Sequence, residues 1–229
     1  MRLPGPVPSI LIGFATAVII VTAAVLPFLT PQWVAFEQGR ADATAWTGYT
    51  TEELRTATDL ILADLVLGPP DFDVEVRGEP VLDERERGHM RDVRTVFIGL
   101  WVIAAASVVA LVAASRRRDR PATWRAVRAG GIGLTGVVVV LGAVALVAFD
   151  ALFEFFHQVF FPAGSYTFDP ATERLVQLFP FQFWDDTALV LGVVIVIIAL
   201  AVTALAGRRA AITKRDPGAT ELTPYRATQ

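Results

Sequence analysis

Four runs of about 20 residues each, 9–29, 95–114, 129–149 and 187–206, contain no charged side chain. At ~1.5 Å of rise per residue, a helix of that length covers the ~30 Å hydrocarbon core of a bilayer. With 54% of its residues hydrophobic, the chain is too apolar for an ordinary soluble domain. Four membrane-spanning helices are therefore expected. The first run is read as an anchor and not a cleaved leader. Its apolar region is too long, and "LPFLTPQW" lacks a small-x-small cleavage site.

Charge orients the spans. The link "SRRRDRPATWRAVR" between the second and third runs carries six arginines and one aspartate, and the tail after the fourth opens "GRRAAITKR". Arg2 precedes the first run. By the positive-inside rule, the link and both termini are cytoplasmic. The other two loops are then external, and the first is acidic: residues 31–94 hold seven arginines against fourteen carboxylates. The expected layout is thus an N-terminal segment with the first span over 1–30, an external domain over 31–93, a span over 94–115, a basic cytoplasmic loop over 116–128, a span over 129–149, a second external region over 150–186, a span over 187–207 and a cytoplasmic tail over 208–229. Short arginine runs beside spans set topology and suit anionic lipid headgroups, so no nucleic-acid partner is expected. The sequence has no cysteine, which excludes disulfides and a thiol nucleophile. Abundant Ala, Val and Arg with almost no Lys suggest a GC-rich bacterial genome.

The external loops carry structure of their own. In "GYTTEELRTATDLILADLVLGPP", Thr50 and Glu53 form a capping box, and Leu54, Ala57, Ile61, Leu62 and Leu65 repeat at helical spacing. Gly68 and Pro69-Pro70 end that helix. Phe72, Val74 and Val76 alternate with charged residues as a half-buried strand, and "RGEP" turns it into a small hairpin. Asp83 and Glu86 cap a helix that runs straight into the second span. "DALFEFFHQVFF" continues the third span outward, with Phe149, Phe153, Phe156 and Phe160 on one face and Asp150, Glu154 and His157 on another. "DPATERLVQLF" is a short helix capped by Asp169, and Trp184, Tyr166 and the phenylalanines suit an interfacial aromatic belt. The fold class expected is an all-α polytopic membrane protein, four transmembrane helices capped by a small extracellular α+β domain.

The chain has two histidines, His89 and His157, one in each external segment. Each follows a glutamate by three residues, Glu86-x-x-His89 and Glu154-x-x-His157, and Asp92 lies three beyond His89. Two such turns could converge above the bundle. Three readings compete. The histidines are interfacial residues without chemistry; or paired E-x-x-H turns hold metal, though di-iron bundles add carboxylates from inside the bundle and these spans have none; or neutral imidazoles shuttle protons at an ester, with carboxylates fixing the tautomer. Serine catalysis has little support. There is no G-x-S-x-G, and Ser165, the one external serine, is the sole conceivable partner for His157. "GGIGLTG" lies within a span, where glycine permits close helix packing.

"ERGHMRDVRTVF" (86–97), "FHQVFF" (156–161), "LVQLFPFQFWDD" (175–186) and "GYTTEEL" (48–54) together resemble the bacterial lipoprotein intramolecular transacylase family of four-span membrane proteins. Tyr166 stands where tryptophan is expected of that family. The resemblance implies an enzyme of the bacterial cytoplasmic membrane acting at the outer face on the diacylglyceryl-modified N-terminus of a lipoprotein. It would move an acyl chain from the glyceryl sn-2 ester to the cysteine α-amine, giving the lyso form, with membrane lipid and lipoprotein as partners. His89 and His157 would be the catalytic pair, and neither metal nor cofactor is called for. The residue chemistry agrees: the amine must lose a proton and the leaving glycerol oxygen gain one. Arg174 and Arg91 are candidates to steady charge on the carbonyl oxygen. Asp92, Glu86 and Glu154 are candidate orienting partners, although Glu86 fits a solvated helix face better. The alternatives are a metal-assisted lipid- or ester-active hydrolase, and a non-enzymatic envelope protein that binds a partner through its acidic external domain.

Overall fold

Eight α-helices, a 3-10 turn (Leu26–Leu29) that continues the first of them, and one two-residue-per-strand hairpin make up a computed structural model that describes residues 6–116 and 120–215. Arg2, residues 117–119 of the arginine link and the tail from 216 onward lie outside the described residues. Four helices are long and apolar enough to cross a membrane, over Pro8–Leu29, Glu84–Ser115, Pro121–Phe160 and Phe181–Ile212. They belong to α1 (Pro6–Val25), α5 (Glu84–Ser115), α6 (Arg120–Phe160) and α8 (Phe181–Arg215). The chain is a multi-pass membrane protein. Three of these helices outrun a bilayer core: α5, with 32 residues, is about 48 Å long.

The spans meet through small residues. α1 packs on α5, α6 and α8, and α6 runs along α8. A Cβ on Gly130 would collide with the Gly13 carbonyl, and one on Gly131 with the Thr203 hydroxyl. Two glycines of "GGIGLTG" thus admit α1 and α8 to the backbone of α6. Ile20 and Ala24 of α1 close on Ile195 and Ala199 of α8.

The segments between α1 and α5 and between α6 and α8 fold together as a second core. α4 (Thr51–Val66) begins at the expected box: Thr50 accepts from the Glu53 N–H, and Glu53 accepts from the Thr50 N–H. Its apolar stripe, Leu54 to Leu65, is buried, each aliphatic side chain contributing about 1.5–3 kcal/mol. Phe72, Val74 and Val76 are buried between exposed Asp71, Asp73 and Glu75, as the alternation requires. The hairpin itself is short: β1 (Glu75–Val76) pairs antiparallel with β2 (Glu79–Pro80) across Arg77 and Gly78. Both loop residues have positive φ, 58° and 77°, the requirement of a tight I′-type turn.

Two helices are absent from the sequence-based expectation. α2 (Pro31–Arg40) is capped by Thr30, and α3 (Ala43–Thr47) follows it. They seat against distant parts of the chain. Trp33 donates to the Thr187 hydroxyl at 3.2 Å, and the Gln38 amide donates to Thr58 and to the Leu178 carbonyl, both at 3.0 Å. Arg40 joins Asp186 at 3.0 Å. The helix expected from Asp169 also begins later. Asp169 closes a single turn, accepting from the Thr172 and Glu173 N–H groups, and α7 spans Arg174–Leu178.

Candidate functional site

The N-terminal end of α5 and the C-terminal end of α6 bring the two histidines together. Asp83 caps α5, and His89 follows in its second turn. α6 is interrupted at Ala148 (φ −151°, ψ 47°) and resumes through His157 to Phe160. The imidazole centroids are 6.0 Å apart with planes 21° from parallel. Both side chains are buried, His89 at 7% and His157 at 9% exposure.

The walls are aromatic. Phe161 meets His89 at 4.8 Å and His157 at 5.4 Å, and Phe168 meets His89 at 5.5 Å. Phe153 and Tyr166 lie 4.2 and 5.1 Å from His157. The helical wheel sets His157 apart from most of the helix phenylalanines, yet its ring meets two of the four, Phe153 and, at 5.5 Å, Phe156. Its ring folds back one turn onto Phe153, and Phe161 and Tyr166 arrive from beyond the helix end.

Hydrogen bonds differentiate the imidazoles. Nδ1 of His157 sits 2.7 Å from the Phe153 carbonyl, which only accepts, so Nδ1 carries the proton. In the neutral ring this leaves the lone pair on Nε2. Nδ1 of His89 is buried with no hydrogen-bond partner among the described residues. A polar atom buried without a partner is costly in a finished core, and is expected where a ligand's polar group completes the site.

The two E-x-x-H glutamates do not serve the rings directly. Glu86 is 2% exposed, not on a solvated face. It accepts from the Asp83 N–H at 2.7 Å and from the Leu175 N–H at 2.6 Å, tying α5 to α7. Glu154 takes the Gln158 amide at 2.9 Å and the Tyr166 hydroxyl at 3.0 Å. Partial burial, and then that carboxylate, hold the Tyr166 phenol above its ordinary pKa, so it remains a donor. Glu154 thus reaches His157 only through the tyrosine. Nor does Ser165 pair with His157, because its hydroxyl donates to the Pro162 carbonyl at 2.9 Å.

The other candidates divide. Asp92, one turn beyond His89, is half-buried and makes no hydrogen bond or ion pair with any described residue. Arg91 pairs with Glu84 at 2.7 Å. Arg174 donates to the Thr47 carbonyl at 2.9 Å and to Gln177 at 2.6 Å, and lies over the Tyr49 ring. These contacts hold α7 to α3, and none is with a histidine. Among the described residues, no three His, Asp or Glu side chains form a group able to hold a metal ion.

Arg85 is a site residue that sequence reasoning missed. It pairs with Glu173, donates to the Thr167 carbonyl at 2.6 Å and stacks its guanidinium 4.7 Å from the Phe168 centroid. It thereby presses Phe168 onto His89. No local spacing signals this, because its partners lie more than 80 residues away in sequence. Phe161 lay within "FHQVFF" but was not singled out, and Phe168 had only the aromatic density of "FFPAGSYTF" to mark it.

Residues 9–184 match the profile of the family described as lipoprotein intramolecular transacylase Lit. Among solved structures, the chain is similar to the membrane-integral lipoprotein intramolecular transacylase Lit from Bacillus cereus. The identity is 18% and the TM-score 0.74, covering 91% of this chain and 96% of that one. A histidine-to-arginine form of that protein gives 16% identity and a TM-score of 0.69, covering 91% and 92%. No curated protein matches the sequence.

Proposed function

The chain belongs to the lipoprotein intramolecular transacylase family, and from that premise we propose that His89 and His157 carry out its acyl transfer. The observation that carries the proposal is the pairing of the chain's only two histidines, buried 6.0 Å apart on two different helices. The substrate is the diacylglyceryl-modified N-terminal cysteine of a lipoprotein. Its α-amine nitrogen attacks the carbonyl carbon of the sn-2 ester. The new C–N bond forms, the C–O bond to glycerol breaks, and the amine proton ends on the freed glycerol oxygen, so no further acyl donor is consumed. His157, with its proton fixed on Nδ1 by Phe153, accepts the amine proton at Nε2. His89, which burial and then the neighbouring His157 hold down at about 4 and therefore neutral, receives that proton from His157 and releases one to the leaving oxygen. The aromatic walls exclude water, which favours transfer to the amine over hydrolysis. Asp92, one turn from His89 and unpartnered, orients the incoming amine. Arg91 and Arg174 position neighbouring segments and do not touch the reacting atoms.

The site faces outward, capped by the acidic segment 31–93 and the segment 150–186, with the basic link and both termini cytoplasmic. Exposed Phe155, Phe156, Phe160 and Phe181 sit at the lipid interface, where an acyl ester enters laterally. The test is expression in a strain whose lipoproteins are diacylated, followed by tandem mass spectrometry of one lipoprotein's N-terminal peptide. An acyl group on the cysteine amine and a free sn-2 hydroxyl are expected. An unchanged diacylglyceryl peptide, with the protein folded and inserted, would refute the reaction.

A further inference from the structure

About 40 Å along α6 from His157, α6 and α8 leave an open cleft of ≈ 580 Å³ lined by Arg128, Leu200, Thr203, Ala204, Gly207 and Arg208. Its lining includes no carboxylate. Arg128 and Arg208 are exposed and make no hydrogen bond or ion pair with any described residue. The Thr203 hydroxyl, also without a partner, is buried against Gly131 of α6. A Cβ on Gly207 would sit in ordinary contact, 3.6 Å, with the Arg128 guanidinium, so the two residues lie side by side in the lining. Two unpaired guanidiniums around one opening are donors in search of an oxyanion.

The level of the cleft identifies the anion. Arg128 immediately precedes the uncharged stretch 129–149, and Arg208 follows 187–206 by two residues. Both guanidiniums therefore lie where a span meets the headgroup layer. Leu200, one wall, is 53% exposed and lies deeper along the apolar run. We infer that this cleft binds the phosphate of an anionic phospholipid between Arg128 and Arg208, with an acyl chain against Leu200. The inference goes beyond the transfer reaction and does not rest on it.

The test uses the purified full chain in detergent with phosphatidylglycerol, phosphatidylcholine or inorganic phosphate as probe, read by native mass spectrometry for retained lipid and by thermal unfolding. One phosphatidylglycerol is retained in preference to phosphatidylcholine. In an Arg128→Gln/Arg208→Gln variant its apparent affinity falls about 30-fold, or about fivefold per arginine. Thr203→Val, which leaves both charges, loses less. The variants unfold as the wild type does in lipid-free detergent, because neither arginine has a partner in the fold. The inference is overturned if the double variant retains the lipid like the wild type, or if Arg55→Gln, on α4, weakens it equally. It is also overturned if inorganic phosphate protects as well as the lipid, which would make the occupant a soluble anion.

Discussion

Replacing Glu86 by alanine should uncouple the two segments that form the site. Its carboxylate is buried, and one oxygen accepts from the Asp83 N–H while the other accepts from the Leu175 N–H. Each is a hydrogen bond to a charged acceptor, worth about 1.5–3 kcal/mol. Loss of both leaves two donors without an acceptor, for a total of about 3–6 kcal/mol. Glu86→Gln separates the contributions. A carboxamide has one oxygen and one NH2, so it can accept from only one of the two N–H groups. It should cost about half as much, ~1.5–3 kcal/mol. The assay is chemical unfolding of the purified protein in detergent, followed by tryptophan fluorescence, with acyl transfer measured on the same preparations. Activity should fall with both variants, because α7 carries the segment that places Phe168 and Tyr166 over the histidines. Glutamine matching the wild type, or alanine costing under about 0.5 kcal/mol, would refute the argument that this carboxylate joins α5 to α7.

Gly130→Ala should destabilise the bundle by about 1–3 kcal/mol, since its Cβ meets the Gly13 backbone, whereas Gly133→Ala meets open space and should be neutral in the same unfolding assay. Arg85→Ala removes the stack on Phe168 and should lower kcat about tenfold, through a cation–π contact worth ~0.5–2 kcal/mol, with Arg85→Lys restoring part of it in the transfer assay. Arg77, and then the Thr50 N–H, depress the Glu53 carboxyl to about 2, below its unfolded value of ~4.3. That stabilisation is present above the unfolded pKa and is lost as pH falls toward 2. Hydrogen exchange of α4 between pH 5 and 2 should therefore accelerate more in the wild type than in Glu53→Gln.

Features whose cause is local were legible in the sequence. The two capping boxes, the α4 stripe and the alternation at Phe72, Val74 and Val76 each depend on residues within a few positions of one another. The spans were legible for the same reason, being uninterrupted apolar runs. So was the placement of one E-x-x-H turn in each long segment, which the fold brings together. What could not be read depends on partners far along the chain. α2 is a mixed polar and aromatic stretch, and its seat is made by Thr187 and Leu178. Glu86 looks like a solvated helix residue until Leu175 supplies an N–H from 89 positions away. Arg174 is the sole arginine or lysine in its segment, which made it look catalytic, yet Thr47 and Gln177 claim its guanidinium. The environment of His157 was misjudged because a helical wheel ends where the helix ends. Phe161 and Tyr166 approach from the turn beyond it.

The central claim is that His89 and His157 act as one proton-transfer unit. It is tested most directly by single-turnover rates of acyl transfer for the wild type, His89→Ala, His157→Ala and the double variant, all matched for unfolding. Each single substitution should slow transfer by about 10²–10⁴-fold, and the double variant should be no slower than the slower single one, as for residues that work together. A single variant that keeps the full rate, or losses that multiply in the double variant, would contradict it.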